Sequence, residues 1–318
     1  MNFSLDNKHI SITYHYVEDP SDKRGGIFPC SINEFERQIK FLSEHYSFAS
    51  IEKVYGEAKK GGDKKMCAIT FDDGLKDQYE NALPILQKYN ATATFFIMSG
   101  IYDGYIPTAH KIHILLSIKE LEDLINAFNK YIDAYLPNET EELHIPVDIS
   151  ITDKRRHEKR ISIKNFKEAL SQLDLNKQKE FFKWFFKEYN LDEKALIKEF
   201  FMSREEAQEL FSMNFILGNH THNHPAFDSI SRSEMKTELE YSQKQLVELF
   251  GKQPNVFCYP YGRLNKDSKS MFKVLNETNI THAVTTEPRG ITRDDNLLTI
   301  PRYDTNDVRD FLDENNIN

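Results

Sequence analysis

Two short stretches carry residues able to do chemistry. Residues 67–74 read CAITFDDG, an apolar run that stops on two adjacent carboxylates, Asp72 and Asp73, and a glycine. Carboxylates this close cannot share one environment cheaply, so something must separate their roles. Residues 218–224 read GNHTHNH and place His220, His222 and His224 within five positions, followed by Pro225. Imidazole with carboxylate suits zinc or a similar divalent ion. Such an ion would take one aspartate as a ligand and leave the other free to act as a base. On spacing alone any two of the three histidines are candidate ligands, and strand alternation would set all three on one face.

Two other hydrolase readings fail on spacing. Position 221 is threonine where the HExxH metalloproteases have glutamate, and Pro225 opposes a continuous helix. Phosphotransferases that use an aspartate pair after a strand space it by one residue, so both face the same way, and here the pair is adjacent. No glycine-rich phosphate cradle accompanies it.

The surrounding elements alternate. "HISITYHYV" reads as a strand, and "SINEFERQIKFLSEHY" as a helix opened by a capping box of Ser31 and Glu34. "MCAITF" is a strand, "KDQYENALPILQKY" a helix that Pro84 bends or restarts, and "ATATFFIM" a strand. The βαβα rhythm predicts a parallel sheet or barrel, whose active groups gather at the C-terminal ends of the strands. From residue 100 to 204 the rhythm gives way to helical periodicity, predicting a helical insertion between barrel segments 1–99 and 205–318. The pattern resumes with "NFILGNH", "RSEMKTELEYSQKQLVELFG", "NVFCYPYG" and "ITHAVTT".

Composition sets further bounds. The 318 residues are 39% hydrophobic with a formal charge of −9, which disfavours nucleic acid and anionic membranes as partners. No run of 18 apolar residues occurs, so no transmembrane segment is expected. The N-terminus lacks the pattern of a secretory leader, and Cys30, Cys67 and Cys258 form no CxxC pair, so a cytoplasmic location is expected. Oligomeric state is not legible.

Together "TFDDG", "HTHNH" and "YPYG" resemble the polysaccharide deacetylase family, the NodB-like carbohydrate esterases of family 4. The likeness extends through "ITFDDGLKDQYENALPILQKYNATATFFI" and covers roughly residues 8–98 and 205–305, leaving the insertion outside. It implies a distorted (β/α)7 barrel with one divalent metal, most commonly zinc, at the C-terminal mouth. Asp72 would then be the general base, and Asp73, His220 and His224 the metal ligands. The family's H-[ST]-x-x-x-H form matches Thr221 to the hydroxyl position and makes His222 a variable neighbour. A backbone N–H at Tyr261 would help hold the oxyanion. The implied reaction removes an N-acetyl group from an amino sugar in a saccharide or glycoconjugate. Removal of a formyl group and a catalytically silent carbohydrate-binding protein are the alternatives.

The sequence departs from the family in two places. Cys258 stands where many members carry the arginine of R-x-P-[YF], and the late Leu-x-His motif that supplies a general acid is missing. "IPRYDTND" resembles a variant with a late arginine that orients the base, which makes Arg302 the candidate. "TYHYV" resembles the early Tyr-His of the exopolysaccharide-modifying branch, which makes His15 the candidate acid and His282 its rival. His110 and His113 read as structural. The aromatic run "EFFKWFFKEY" reads as core between inserted helices, with a saccharide-stacking groove as the alternative.

Overall fold

A computed structural model of the protein describes residues 3–20, 27–146, 149–151, 161–262, 264 and 267–317. These form two compact units, one of residues 1–19, 29–105 and 197–318, the other of residues 20–28 and 106–196. Residues 100–105 and 197–204, counted with the insertion on sequence grounds, thus belong to the first unit.

Among the described residues, the first unit is built on eight parallel strands: β1 (His9–Tyr14), β2 (Ser47–Phe48), β3 (Met66–Phe71), β4 (Ala93–Ile97), β5 (Ile216–Asn219), β6 (Val256–Cys258), β7 (His282–Val284) and β8 (Tyr303–Asp304). Their order is β7-β6-β5-β4-β3-β1-β8, with β2 alongside the start of β3. The chain just before β8 closes the ring. Ile300 bridges to Val284 of β7 while Tyr303 and Asp304 pair with Ile12 and Thr13 of β1. Seven strands therefore curl into a (β/α) barrel.

Parity along the strands decides what faces the lumen. Ser11 and Thr13 of β1 lie opposite Ala68 and Thr70 of β3, and this set continues inward to His15 and Asp72. Ala68, Phe96, Val256, Cys258, Val284 and Ile300 pack together with Ile51 and Val54 of the helix Ile51–Lys60. Gly218 of β5 is required here, because a Cβ would lie 2.4 Å from the Phe96 ring. The opposite parity packs outward. Tyr14 and Phe71 meet Phe35 of the helix Ile32–His45 at ring separations of 4.9 and 5.8 Å. Because both faces are covered, β1 and β3 are buried at every position, including the polar His9, Ser11 and Thr13 of β1.

Ser31 caps the helix Ile32–His45 by accepting from the Glu34 amide, but the reciprocal half of the expected capping box is absent. The Glu34 carboxylate turns instead to Arg37 (2.8 Å) and the Gln38 amide (2.7 Å), a charge-assisted choice. Full capping boxes occur at Ser203 and Glu206, at Asp304 and Asp307, and at Ser231 and Glu234, ahead of the helix Arg232–Phe250. After β3 the chain makes a π-helical turn, Gln78–Ala82, and restarts as the α-helix Leu83–Lys88 with Pro84 in its first turn.

The second unit contains the helices Thr108–Ile118, Leu121–Tyr135, Ile161–Gln172 and Leu175–Glu188. Its core is the aromatic run itself. Phe181, Phe182 and Phe185 are buried, and Phe181 meets Phe128 and Tyr131 edge-on at 5.3 Å. His110 is buried in the same unit, with its ring 6.0 Å from that of His113.

Candidate active site

The residue after β3 is Asp72, which parity aims into the lumen. Both of its oxygens are engaged by one cation: Arg302 Nη1 donates to Oδ1 (2.8 Å) and Nη2 to Oδ2 (2.7 Å). Arg302 is fully buried and is itself fixed by donating to the Thr285 carbonyl (2.9 Å) and to Thr70 Oγ1 (3.0 Å). Its Nη2 also touches Cys258 Sγ at 3.1 Å, and that thiol donates to Asp72 Oδ2 at 3.3 Å. A surface pairing of Arg302 with Asp304 does not occur; Asp304 instead caps the helix Thr305–Glu314. Burial alone would push the Asp72 carboxyl up. The Arg302 guanidinium outweighs it and holds the group well below the usual carboxylate range. Burial pushes the Cys258 thiol up, keeping it protonated.

Asp73 would face away if the strand continued. It does not: Asp73 has φ 78° and Gly74 φ 68°, and the left-handed step swings the second carboxylate back to the mouth. Asp73 Oδ1 lies 3.2 Å from His220 Nε2 and 3.5 Å from His224 Nε2, and those two nitrogens are 3.1 Å apart. All three residues are buried, and their ligating atoms lie within 4.8 Å of one another. His220 Nδ1 donates to the Cys258 carbonyl at 2.8 Å, so Nε2 carries the inward lone pair. A carboxylate oxygen and two imidazole nitrogens converging in a buried site repel unless a cation or a shared proton lies among them. One oxygen and two nitrogens is also a donor set suited to a divalent transition ion, so these residues fit the metal that the resemblance implies.

The third histidine is elsewhere. Strand β5 ends at Asn219, and left-handed steps at Thr221 (φ 66°) and His224 (φ 56°) cancel the alternation that would have aligned all three rings. His222 points to Ser99 Oγ (Nδ1 at 2.9 Å) and packs edge-on to Tyr241. The loop is tied down on every side. Asn219 Oδ1 accepts from the Thr221 amide (2.7 Å), and Glu238 accepts from the amides of His222 (3.1 Å) and Asn223 (2.8 Å). The Gly100 amide donates to the His222 carbonyl at 3.0 Å, an approach that a Cβ at 2.5 Å would block.

His15 follows β1, and its Nε2 stands 3.8 Å from Asp72 Oδ2 with the side chain 44% exposed. His282 is the first residue of β7, at the opposite end of the barrel, with its ring against Tyr55. Geometry therefore removes it from this site. Tyr261 has φ 59°, and its half-exposed ring rests 4.7 Å from that of His224.

Backbone strain marks the same place. Among the described residues, nine non-glycine residues have positive φ. Five are asparagines (Asn90, Asn190, Asn214, Asn279 and Asn316), the residue type that best tolerates this region. The other four are Asp73, Thr221, His224 and Tyr261. Such strain persists where the surroundings over-determine it, as at functional sites. Sequence reasoning missed this feature, and it missed Thr13 and Gln78, which bond Asp72, and Thr70, which holds Arg302. Strand parity would have placed the two threonines.

The family model for polysaccharide deacetylases matches residues 59–130 and 164–282, more than half of the chain. The match enters the segment expected to lie outside the resemblance, and only residues 131–163 separate its two parts. It stops short of His15 and Arg302. A poly-beta-1,6-N-acetyl-D-glucosamine N-deacetylase of Staphylococcus aureus is 34% identical over 108 residues, which cover 30% of this chain and 37% of that protein. The fold is similar to that of the Streptococcus pyogenes deacetylase PplD in complex with acetate, with TM-score 0.57 and 18% identity over 94% of this chain and 92% of that one. It is also similar to IcaB from Ammonifex degensii, with TM-score 0.55 and 15% identity over 93% and 91% of the two chains. With a family match this extensive on a barrel of this kind, the chain belongs to the polysaccharide deacetylase family.

Proposed function

We propose that the protein is a metal-dependent hydrolase that removes an N-acetyl group from an amino sugar within a saccharide. The observation that carries this reading is the convergence of Asp73, His220 and His224 beside a buried, arginine-bound Asp72 at one barrel mouth. Asp73, His220 and His224 would hold one divalent ion, zinc by the chemistry of the set, and its charge would polarise the acetyl carbonyl and acidify water.

The chain's own residues do the rest. Asp72 is ionised throughout the neutral range and rigidly aimed, so it accepts a proton from the attacking water. A carboxylate so stabilised by Arg302 does not keep that proton. It must pass on, and His15, 3.8 Å away and open to solvent, is placed to deliver a proton to the departing amine. The strained turn at Tyr261 would present a backbone N–H to the developing oxyanion, and its exposed ring offers a face for a sugar. A silent binding protein would have no use for the buried Asp72–Arg302 pair.

No helix among the described residues is long and apolar enough to cross a membrane. Three buried free thiols suit a reducing compartment, in keeping with a cytoplasmic enzyme, which cell fractionation would test.

The test is metal content and acetate release. Purified protein should hold about one divalent ion per chain, lost in His220→Ala, and should release acetate from oligomers of β-1,6-linked N-acetylglucosamine, the linkage in the relative's name. Absence of stoichiometric metal after reconstitution would sink the reading. Release of formate from N-formyl sugars without acetate would redirect it.

A further inference from the structure

We propose that Gln78 is a positioning residue that sets the distance between His15 and Asp72. The proposal rests on the roles given to those two residues above. Gln78 is fully buried and opens the π-helical turn Gln78–Ala82 that follows β3. Its side-chain amide makes two hydrogen bonds from one nitrogen, to the Asp72 carbonyl at 2.6 Å and to the His15 carbonyl at 3.1 Å. One side chain thus joins the backbones of the base and the acid, which come from different strands. The Gln78 Oε1 atom is buried without a hydrogen-bond partner, so the amide is oriented by its donor side alone.

The neighbours on the same turn strengthen the tie. Asp77 Oδ2 accepts from the Val17 amide at 2.7 Å, and Asn81 Nδ2 donates to the Val17 carbonyl at 2.8 Å. The segment 15–17 beyond β1 is therefore laced to the turn beyond β3 at both of its ends. His15 itself is half-exposed and makes only a 3.8 Å approach to Asp72, so its own contacts do not hold it in place. π-Helical turns are rare and recur at functional sites, and this one presents the donor that ties the His15 and Asp72 carbonyls together.

Gln78→Met keeps the length of the side chain and removes both donors. The expected result is a fall in kcat of about tenfold or more with little change in KM. In a His15→Ala background the same substitution should cost less than about twofold, because the group being positioned is gone. A purely structural role predicts the same factor in both backgrounds, and that result would overturn the proposal. Asn81→Ala, at the outer end of the lacing, should show the same dependence on His15 at smaller size, and it decides the matter if Gln78→Met does not fold. Amide hydrogen exchange across residues 14–18 supplies a reading independent of turnover. It should speed up in Gln78→Met at unchanged Tm, and unchanged exchange would overturn the clamp. If the wild type hydrolyses no acetylated sugar, the deacetylase reading fails on that count while exchange still judges the clamp.

Discussion

Replacing Arg302 with methionine tests the electrostatic logic of the site. The guanidinium and the Asp72 carboxylate are 0% and 4% exposed and meet through two hydrogen bonds, so neither is rescued by solvent when the other is removed. Breaking a buried pair from one side costs on the order of 3–5 kcal/mol. For 318 residues at about 2.1 cal/mol/K each, that corresponds to a Tm lower by roughly 5–8 °C at pH 7. The pH dependence is the sharper readout. In the wild type Asp72 is depressed below its unfolded value of about 3.9, so the unfolded chain binds the extra proton. The pair's contribution is therefore complete above about pH 5 and drains away as pH falls toward the folded value. In Arg302→Met burial, the largest influence, loses its main opponent, so Asp72 is raised above its unfolded value and the sign reverses. Stability then declines as pH rises from about 4, until the carboxyl ionises in the folded state too. Thermal unfolding by circular dichroism between pH 3.5 and 7.5 should show two curves that lie closest in acid and separate toward neutrality. Parallel curves would refute the assignment of a buried charge to Asp72.

Other expectations follow from the same geometry. Asp73→Asn should weaken metal binding by more than the roughly 10–100-fold typical of an outer-shell change, read by competition with a chromophoric chelator. His15→Ala should lower kcat by about 10²–10⁴ with metal content and Tm unchanged, since its side chain is 44% exposed; a loss below threefold would remove it as the acid. None of the three cysteines should be alkylated by iodoacetamide at pH 8 in the native protein, because all are buried and burial raises each thiol, Cys30 to about 12; mass spectrometry would detect a modified site. Ser231→Ala should cost about 1 kcal/mol by opening the capping box of the helix Arg232–Phe250, measured in urea.

Much of the barrel was legible because its longer strands are rich in β-branched and aromatic residues and alternate with helical patterns. Strands β2 and β8 escaped notice, being two residues each with no periodicity to detect. Candidate metal ligands were legible from residue type and spacing, but the separation of His222 from its neighbours was legible only through the resemblance. That depends on the left-handed steps at Thr221 and His224, which neither residue type advertises. The orientation of Asp73 was half legible, since Gly74 announces a turn without saying which way the carboxylate swings. Arg302 shows the limit most clearly. Locally it is one cation in a charged tail, and its partner lies 230 positions earlier, so only the resemblance singled it out.

That separation has a consequence for how the molecule is made. Ribosomes deliver Asp72 long before Arg302, and the chain that carries Arg302 is the same one that joins β7 to β1. Until it arrives, the nascent sheet has two open edges and an aspartate with no counter-charge, which disfavours burying Asp72 early. Late arrival of the arginine closes the circle of strands and neutralises the lumen in one event. The unfinished barrel is thereby kept open by an unpaired carboxylate in its lumen, and commitment to the folded state waits for the final strand to be synthesised.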